Sequence, residues 1–117
     1  MILIDYKDTR PIYEQIVERF KMLILKGAMS ADEQMPSVRS LAMELSINPN
    51  TIQKSYAELE RQGFIYTVKG RGNFVSGDGR LIEQRKTEYK ERLLDLAKEA
   101  MEIGMTKTAL IREIEQL

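Results

Sequence analysis

Four polar side chains close together in the middle of the chain are of the types that form hydrogen bonds to the edges of nucleic-acid bases. They are Asn50, Thr51, Gln53 and Lys54. Asn and Gln can make paired hydrogen bonds to adenine, Thr can offer a hydroxyl or a methyl group, and Lys can contact guanine or a phosphate. Because Ile52 and Tyr56 alternate with them, the polar set falls on the outer side of an amphipathic helix, as reading of a DNA major groove requires.

Further candidate contacts lie before and after this helix. Arg39 falls in the first turn of a short predicted helix, where a guanidinium can approach a phosphate or a guanine at the groove edge. Ser37 precedes it at a helix N-terminus, whose free backbone donors suit phosphate oxygens. Lys69 and Arg71 flank Gly70 in a glycine-rich turn. Glycine lets the backbone come close to a surface, and the two cations suit the phosphate backbone or the minor groove.

Each of these features has a simpler interpretation when it is taken alone. The polar face of an arbitrary helix is usually only solvated, and a single arginine is more often a surface salt-bridge residue. A Lys-Gly-Arg-Gly sequence is more often a hairpin turn with solubilising cations. The order of the features, a helix-turn-helix followed by a hairpin with a basic tip, favours DNA binding over these interpretations.

The helices that must position these residues follow from the apolar spacing and from the residues that begin and end helices. A first helix is predicted to start at Pro11, which suits a first helical position, and to stop at Gly27. Its apolar face comprises Ile12, Ile16, Phe20, Leu23 and Ile24. A second, short helix is capped by Ser37. A third is capped by Asn48, has Pro49 as its first residue and runs to about residue 62.

After the third helix the pattern changes from helical to extended. Residues 64–68 and 73–75 are rich in β-branched and aromatic side chains and predict two strands, joined by a glycine-rich turn at 69–72. We interpret this β-hairpin as a wing. The predicted fold is mainly α with a small β-hairpin (α+β). It has a winged helix-turn-helix domain over 1–76, a linker over 77–80 and a two-helix tail over 81–117.

The tail carries an apolar stripe that two helices cannot bury by themselves. Helical spacing places these residues in it: Tyr89, Leu93, Ala97, Met101, Leu110 and Ile114. Gly104 is predicted to end the longer helix and Thr106 to cap the shorter one. A second copy of the chain would cover the stripe most economically, so we predict that the tail forms a homodimer. The alternative is that the tail folds back on its own DNA-binding domain.

Composition limits the other functions of the chain. Its 117 residues include no His and no Cys, so imidazole and thiolate chemistry is excluded, and we expect no enzyme, no metal and no cofactor. The 18 basic and 18 acidic residues balance, which argues against non-specific nucleic-acid binding but not against a specific reader. Because the chain has no excess of positive charge, the remaining alternative is a protein-interaction module whose winged helix has lost contact with DNA. The absence of a signal sequence and of a long apolar run predicts a cytoplasmic protein that does not bind membranes.

Several spaced motifs resemble the GntR family of bacterial transcription regulators. The segment PIYEQI at 11–16 resembles the family's opening helix, and MPSVRSLA at 35–42 is very close to its central signature, in which Leu usually precedes the Pro-Ser-x-Arg run. NPNTI at 48–52, followed by Tyr56, Leu59 and Gly63, matches the recognition helix. GRGNFV at 70–75 resembles the wing, where Thr or Ser more often replaces Asn73. The resemblance covers roughly residues 10–76.

The resemblance implies a dimer that binds double-stranded DNA at a palindromic operator. It assigns base or phosphate contacts to Arg39 and to the polar set of the third helix, and it assigns minor-groove contacts to Lys69 and Gly70. The 37 residues from 81 to 117 are too few for the effector-binding domain of most members. The chain therefore resembles the short-tailed YtrA-like subfamily, whose tail dimerises and whose members often repress operons for ABC-type transporters. Whether a small-molecule effector exists is left open.

Overall fold

The computed structural model describes residues 2–117 and shows helices with one antiparallel hairpin. The elements are α1 (Ile12–Leu25), α2 (Val38–Leu45), α3 (Pro49–Arg61), β1 (Ile65–Val68), β2 (Gly72–Val75), α4 (Arg80–Glu102) and α5 (Lys107–Glu115). They confirm the predicted α+β fold class. The chain forms two compact units, of which the first ends at Leu81 and the second comprises residues 82–117.

The first helix begins one position later than predicted. Pro11 keeps an extended ψ of 147° and occupies the N-cap position, so the prediction that it is the first helical residue is wrong. Its carbonyl already accepts hydrogen bonds from the backbone N–H groups of Glu14 and Gln15, at 3.1 and 3.2 Å. Pro11 therefore still marks the start of the helix, but as the N-cap residue that precedes the first helical position.

The predicted caps of the next two helices are confirmed. The Ser37 Oγ accepts a hydrogen bond from the Ser40 N–H at 3.0 Å at the start of α2. The Asn48 Oδ1 accepts one from the Asn50 N–H at 2.8 Å at the start of α3, where Pro49 is the first residue. Between the helices Ser46 adopts a left-handed φ of 54°, and this allows the tight connection that a helix-turn-helix needs.

The hairpin is extended on one side by the loop that precedes α2. β1 and β2 pair antiparallel, with Ile65 opposite Val75 and Val68 opposite Gly72. The other edge of β2 exchanges backbone hydrogen bonds with residues 32–35, including the Met35 N–H donating to the Asn73 carbonyl at 2.8 Å. The wing is therefore fastened along both edges of β2, and the turn at its tip is exposed.

The core of the first unit gathers apolar residues from all of its elements. The side chains that are essentially inaccessible include Ile16, Phe20, Leu41, Ile52, Tyr56, Leu59 and Val75. Each such burial contributes about 1.5–3 kcal/mol relative to exposure. Leu81 is buried in the same core, and α4 begins at Arg80. The first unit therefore continues through the segment 77–80, which the sequence predicted to be a linker.

The second unit contains the rest of α4 and the whole of α5. Gly104, with a φ of 99°, follows the end of α4, and the Thr106 Oγ1 caps α5 by accepting a hydrogen bond from the Ala109 N–H at 3.1 Å. Both predictions are confirmed. No side chain from 82 to 117 is buried, and these large apolar residues are exposed: Tyr89, Leu93, Leu94, Leu96, Met101, Ile111 and Ile114.

Candidate nucleic-acid interface

Helix α3 presents the predicted polar residues on its outer side. Asn50, Gln53 and Lys54 are exposed and Thr51 is half-buried, while Ile52 on the opposite side is completely buried. The alternation arises because α3 packs against α1 and α2 through its apolar side, which leaves the polar side to solvent. The four candidate side chains are thus accessible to a groove.

Two hydrogen bonds fasten α3 to the neighbouring helices at its flanks. On one side the buried Tyr56 hydroxyl donates to the Pro36 carbonyl at 2.7 Å, just before α2. On the other side the buried Ser55 Oγ lies 3.1 Å from the Tyr13 carbonyl of α1 and 3.0 Å from the Thr51 carbonyl. Burial also raises the pKa of Tyr56 above its ordinary value, so the hydroxyl keeps the proton that it donates. These bonds hold α3 at a fixed position on the domain.

The remaining predicted contacts are exposed at the start of α2 and at the wing tip. Arg39 lies in the first turn of α2, directly after the Ser37 cap. Lys69, Gly70 and Arg71 form the turn between the two strands, and all three are exposed. The structure therefore brings the candidate residues of α2, α3 and the wing onto one compact unit, where the sequence could give only their order.

The wing tip is supported by a residue that the sequence did not indicate. The Gln34 Nε2 donates a hydrogen bond to the Arg71 carbonyl at 2.9 Å, across 37 positions of the chain. A Cβ at Gly72, which has a φ of 119°, would come within 3.2 Å of the same nitrogen. Gln34 thus connects the loop before α2 to the tip. An isolated glutamine in a loop carries no sequence signal for such a contact.

The cations of this surface are mostly without acidic partners. Among the described residues, Arg39, Lys54, Lys69 and Arg71 have no carboxylate within ion-pair distance, whereas Arg61 pairs with Glu58. The Arg61 and Gln62 side chains donate hydrogen bonds to the Glu58 carboxylate, and these lower its pKa to about 2. The unpaired cations retain their full charge for an anionic partner, even though the whole chain is neutral.

Lys54 differs from its neighbours because it rests on an aromatic ring. Its Nζ lies 3.8 Å from the centroid of the Tyr13 ring, on the first turn of α1. In the structure Tyr13 is half-buried, and its hydroxyl donates to the Glu14 carboxylate at 3.3 Å.

An open cleft of about 660 Å³ lies between α1 and α3, beside this contact. Three of the four cations that line it pair with carboxylates: Arg10 with Asp8, Lys21 with Glu18 and Arg61 with Glu58. The fourth is Lys54, which lies over the Tyr13 ring. Within residues 2–117, no cluster of His, Cys, Asp or Glu side chains could hold a metal ion. None of the described helices is both long and apolar enough to cross a membrane.

Comparison with known proteins identifies the family to which the first unit belongs. Residues 12–75, which run from the start of α1 to the end of the wing, match the model of the bacterial regulatory proteins of the gntR family. The chain belongs to the GntR family. The match includes all of the candidate contacts on α2, α3 and the wing, so the resemblance noted in the motifs is confirmed.

Similarity extends beyond the family domain to the tail. The HTH-type transcriptional repressor YtrA of Bacillus subtilis is 42% identical over 119 aligned residues, which cover 100% of this chain and 92% of YtrA. A solved GntR family transcriptional regulator from Listeria monocytogenes is 37% identical with a TM-score of 0.81, covering 97% of this chain and 99% of that one. The predicted likeness to short-tailed YtrA-like members is thereby confirmed.

One related structure contains DNA. The DNA-binding domain of AraR, solved in complex with the operator ORE1, is 28% identical to this GntR chain with a TM-score of 0.56. The alignment covers 65% of this chain and 93% of the AraR domain. A domain of similar fold therefore binds operator DNA.

Proposed function

We propose that this GntR member is a sequence-specific repressor that inserts α3 into the major groove of duplex DNA. The observation that carries the proposal is the position of Asn50, Thr51, Gln53 and Lys54 on the outer side of a helix fastened to α1 and α2. Such a helix can reach base edges without rearranging its domain. Similarity to AraR, which was solved with its operator, and to the repressor YtrA supports the same proposal.

The other contacts follow from this placement. Arg39 and the N-terminus of α2, capped by Ser37, contact a phosphate or a guanine at the groove edge. Lys69, Gly70 and Arg71 approach the minor groove, where the unpaired cations meet its negative potential. The protein acts in the cytoplasm.

The second unit joins two copies of the chain. Leu93 is 52% exposed and Ile114 is 50% exposed, and together with Tyr89, Met101 and the half-buried Ala97 and Leu110 they give the tail more apolar surface than a single chain covers. A two-fold symmetric dimer would hide this surface and place two α3 helices at a set spacing, so the operator is an inverted repeat. Likeness to the YtrA-like subfamily makes a transporter operon the first candidate for regulation.

Selection of duplexes from a random-sequence library by the wild-type protein tests DNA binding. We expect the recovered duplexes to contain an inverted repeat. Arg39→Ala and Asn50→Ala should each weaken binding to them by about 1–3 kcal/mol and broaden the base preference. Lys26→Ala is the matched control, because Lys26 is an exposed cation at the C-cap of α1, at the far end from Pro11. If Arg39→Ala and Asn50→Ala both bind as tightly as the wild type, the site assignment is refuted. If the wild-type protein recovers no preferred sequence, sequence-specific DNA binding is refuted.

Sedimentation of a charged tail variant tests the dimer. Leu93→Glu places a carboxylate in the apolar stripe and should shift the chain to a monomer with weaker operator binding. Lys98→Glu changes the charge at an exposed position of the same helix that is not part of the stripe, and it should remain dimeric. A wild-type chain that sediments as a monomer at micromolar concentration would remove the basis for the inverted repeat.

A further inference from the structure

The side chain of Lys54 is turned toward α1 and is held there by an aromatic ring. Its Nζ lies 3.8 Å from the Tyr13 ring centroid, well inside the distance of about 6 Å at which a cation and a ring attract each other. The ring carries no net charge, so the contact orients the ammonium without neutralising it. Lys54 has no carboxylate within ion-pair distance among residues 2–117, and its positive charge remains available to an incoming anion.

The ring is in this position because the two helices are fastened directly beneath it. Ser55, the residue after Lys54, is completely buried, and its Oγ lies 3.1 Å from the carbonyl of Tyr13 itself. This hydroxyl joins the backbone of α1 to α3 at the turn that carries both side chains. Tyr13 is half-buried, so part of its side chain is packed against the domain. The geometry of the lysine is therefore a product of how α1 packs on α3.

The direction of the side chain decides which part of a duplex it meets. A helix with its side chains is about 10–12 Å across and a major groove is about 12 Å wide, so the flanks of an inserted helix face the phosphate walls. Asn50 and Lys54 are four residues apart and share the outer face. The Tyr13 ring holds the ammonium at the α1 flank of that face.

We propose that Tyr13 is a positioning residue that directs Lys54 to a phosphate of the DNA backbone, so that Lys54 supplies affinity and not base specificity. The proposal rests on the proposed binding of duplex DNA by α3, and it decides between the guanine and phosphate contacts that the residue type allows. A lysine that contacts a phosphate contributes equally to all sequences and releases a counterion, whereas a lysine that contacts guanine contributes to only one base.

The first experiment measures the salt dependence and base preference of Lys54→Gln. The probes are the duplex that the wild-type protein selects from a random library and a scrambled duplex of the same length and composition. We expect weaker binding to both probes by the same factor. The slope of log affinity against log salt should become shallower by about 0.9 for each subunit on the DNA. A loss confined to the selected duplex, with a preference relaxed at one base pair, would show that Lys54 reads a base and would overturn the proposal.

Lys26→Gln is the control for loss of a positive charge. Lys26 is an exposed residue at the other end of α1 from Tyr13, about 20 Å along a helix of this length. That separation is about twice the Debye length at 0.1 M salt, so its charge is screened from the contact. The control should retain the wild-type slope. An equal change of slope in Lys26→Gln would mean that the effect is one of total charge, and the assignment of a phosphate to Lys54 would fail.

The second experiment tests the ring by comparing Tyr13→Phe with Tyr13→Leu. Phe keeps the aromatic face and should bind as the wild type does, whereas Leu should weaken binding to both probes by about two- to fivefold, the value of an exposed cation–π contact. In a Lys54→Gln background Tyr13→Leu should have no further effect, because the side chain that the ring orients is gone. If Tyr13→Leu weakens binding as much in that background, the ring acts independently of Lys54 and the proposal is wrong.

Failure of this proposal can be separated from failure of the proposed function. A wild-type protein that selects no duplex removes DNA reading altogether, whereas unequal effects of Lys54→Gln on the two probes remove only the role of Lys54. Thermal unfolding followed by circular dichroism establishes that each variant is folded at the assay temperature. If Tyr13→Leu unfolds, the pair of Tyr13→Phe and Lys54→Gln still decides: a Phe variant with the shallower slope of Lys54→Gln contradicts positioning by the ring.

Discussion

Removal of one buried hydroxyl should loosen the connection between α3 and α2, the helix before it. In Tyr56→Phe the ring remains, together with its edge-to-face contact to Phe20 at a centroid distance of 5.8 Å. Only the hydrogen bond to the Pro36 carbonyl is lost, which measures 2.7 Å in the native structure. Because Pro36 is followed by the Ser37 cap of α2, this bond relates the position of α3 to the start of α2.

The expected loss of stability follows from the burial of the Tyr56 hydroxyl and the Pro36 carbonyl. Tyr56 is 1% exposed, and Pro36 is half-buried. A lost internal hydrogen bond costs about 1 kcal/mol, and a buried acceptor left without any donor costs up to about 3 kcal/mol. Since water can reach a half-buried carbonyl in part, we expect about 1–2 kcal/mol. For a domain of about 80 residues this corresponds to a fall of roughly 5–15 °C in Tm.

Urea unfolding of the wild type and of two matched variants provides the measurement. Tyr6→Phe is the control, because Tyr6 is 71% exposed and its hydroxyl has no hydrogen-bond partner within the described chain. It should change stability by less than about 0.5 kcal/mol. If Tyr56→Phe and Tyr6→Phe unfold at the same urea concentration, the hydrogen bond to Pro36 contributes nothing to stability, and the reasoning about the α2–α3 connection is wrong. If the bond also aligns Arg39 with α3, operator binding should weaken at temperatures well below Tm.

Two other perturbations test the wing and the acid stability of α3. Gln34→Leu removes the donor to the Arg71 carbonyl, so amide hydrogen exchange at the wing tip should become faster. DNA affinity should fall, while the base preference at α3 is retained. Unchanged exchange would refute the supporting role of Gln34. Hydrogen bonds from Arg61 lower the pKa of Glu58 from 4.5 to about 2, so its contribution to stability is present above pH 4.5 and is lost as the pH falls toward 2. Glu58→Gln should therefore flatten the pH dependence of the urea midpoint in that window, and a curve parallel to the wild type would contradict this.

Local signals allowed the elements and their ends to be predicted from the sequence. Ser37, Asn48 and Thr106 cap helices through hydrogen bonds to backbone groups two or three residues away, and Gly104 follows its helix with a positive φ. Such interactions depend on neighbouring residues only, so residue type and order are sufficient to predict them. The exception is Pro11, which suits both the first helical position and the N-cap. Only the ψ of Pro11 in the folded chain distinguishes the two.

The types of the candidate contacts were also available from the sequence, but their directions were not. Nothing in the order of residues indicates that Lys54 lies over Tyr13, or that Gln34 supports the tip at Arg71, since each contact joins segments far apart in the chain. The extent of the first unit was hidden for the same reason, because Leu81 joins its core from beyond the wing.

The sequence by itself determined that this is a winged helix-turn-helix chain with a polar reading face, because amphipathic periodicity and caps are encoded over a few residues. Tertiary structure alone decided that Lys54 lies over the Tyr13 ring. The physical reason is that packing of α1 on α3, through Ser55 and Tyr13, sets this contact across more than 40 positions of the chain, the Ser55–Tyr13 hydrogen bond spanning 42.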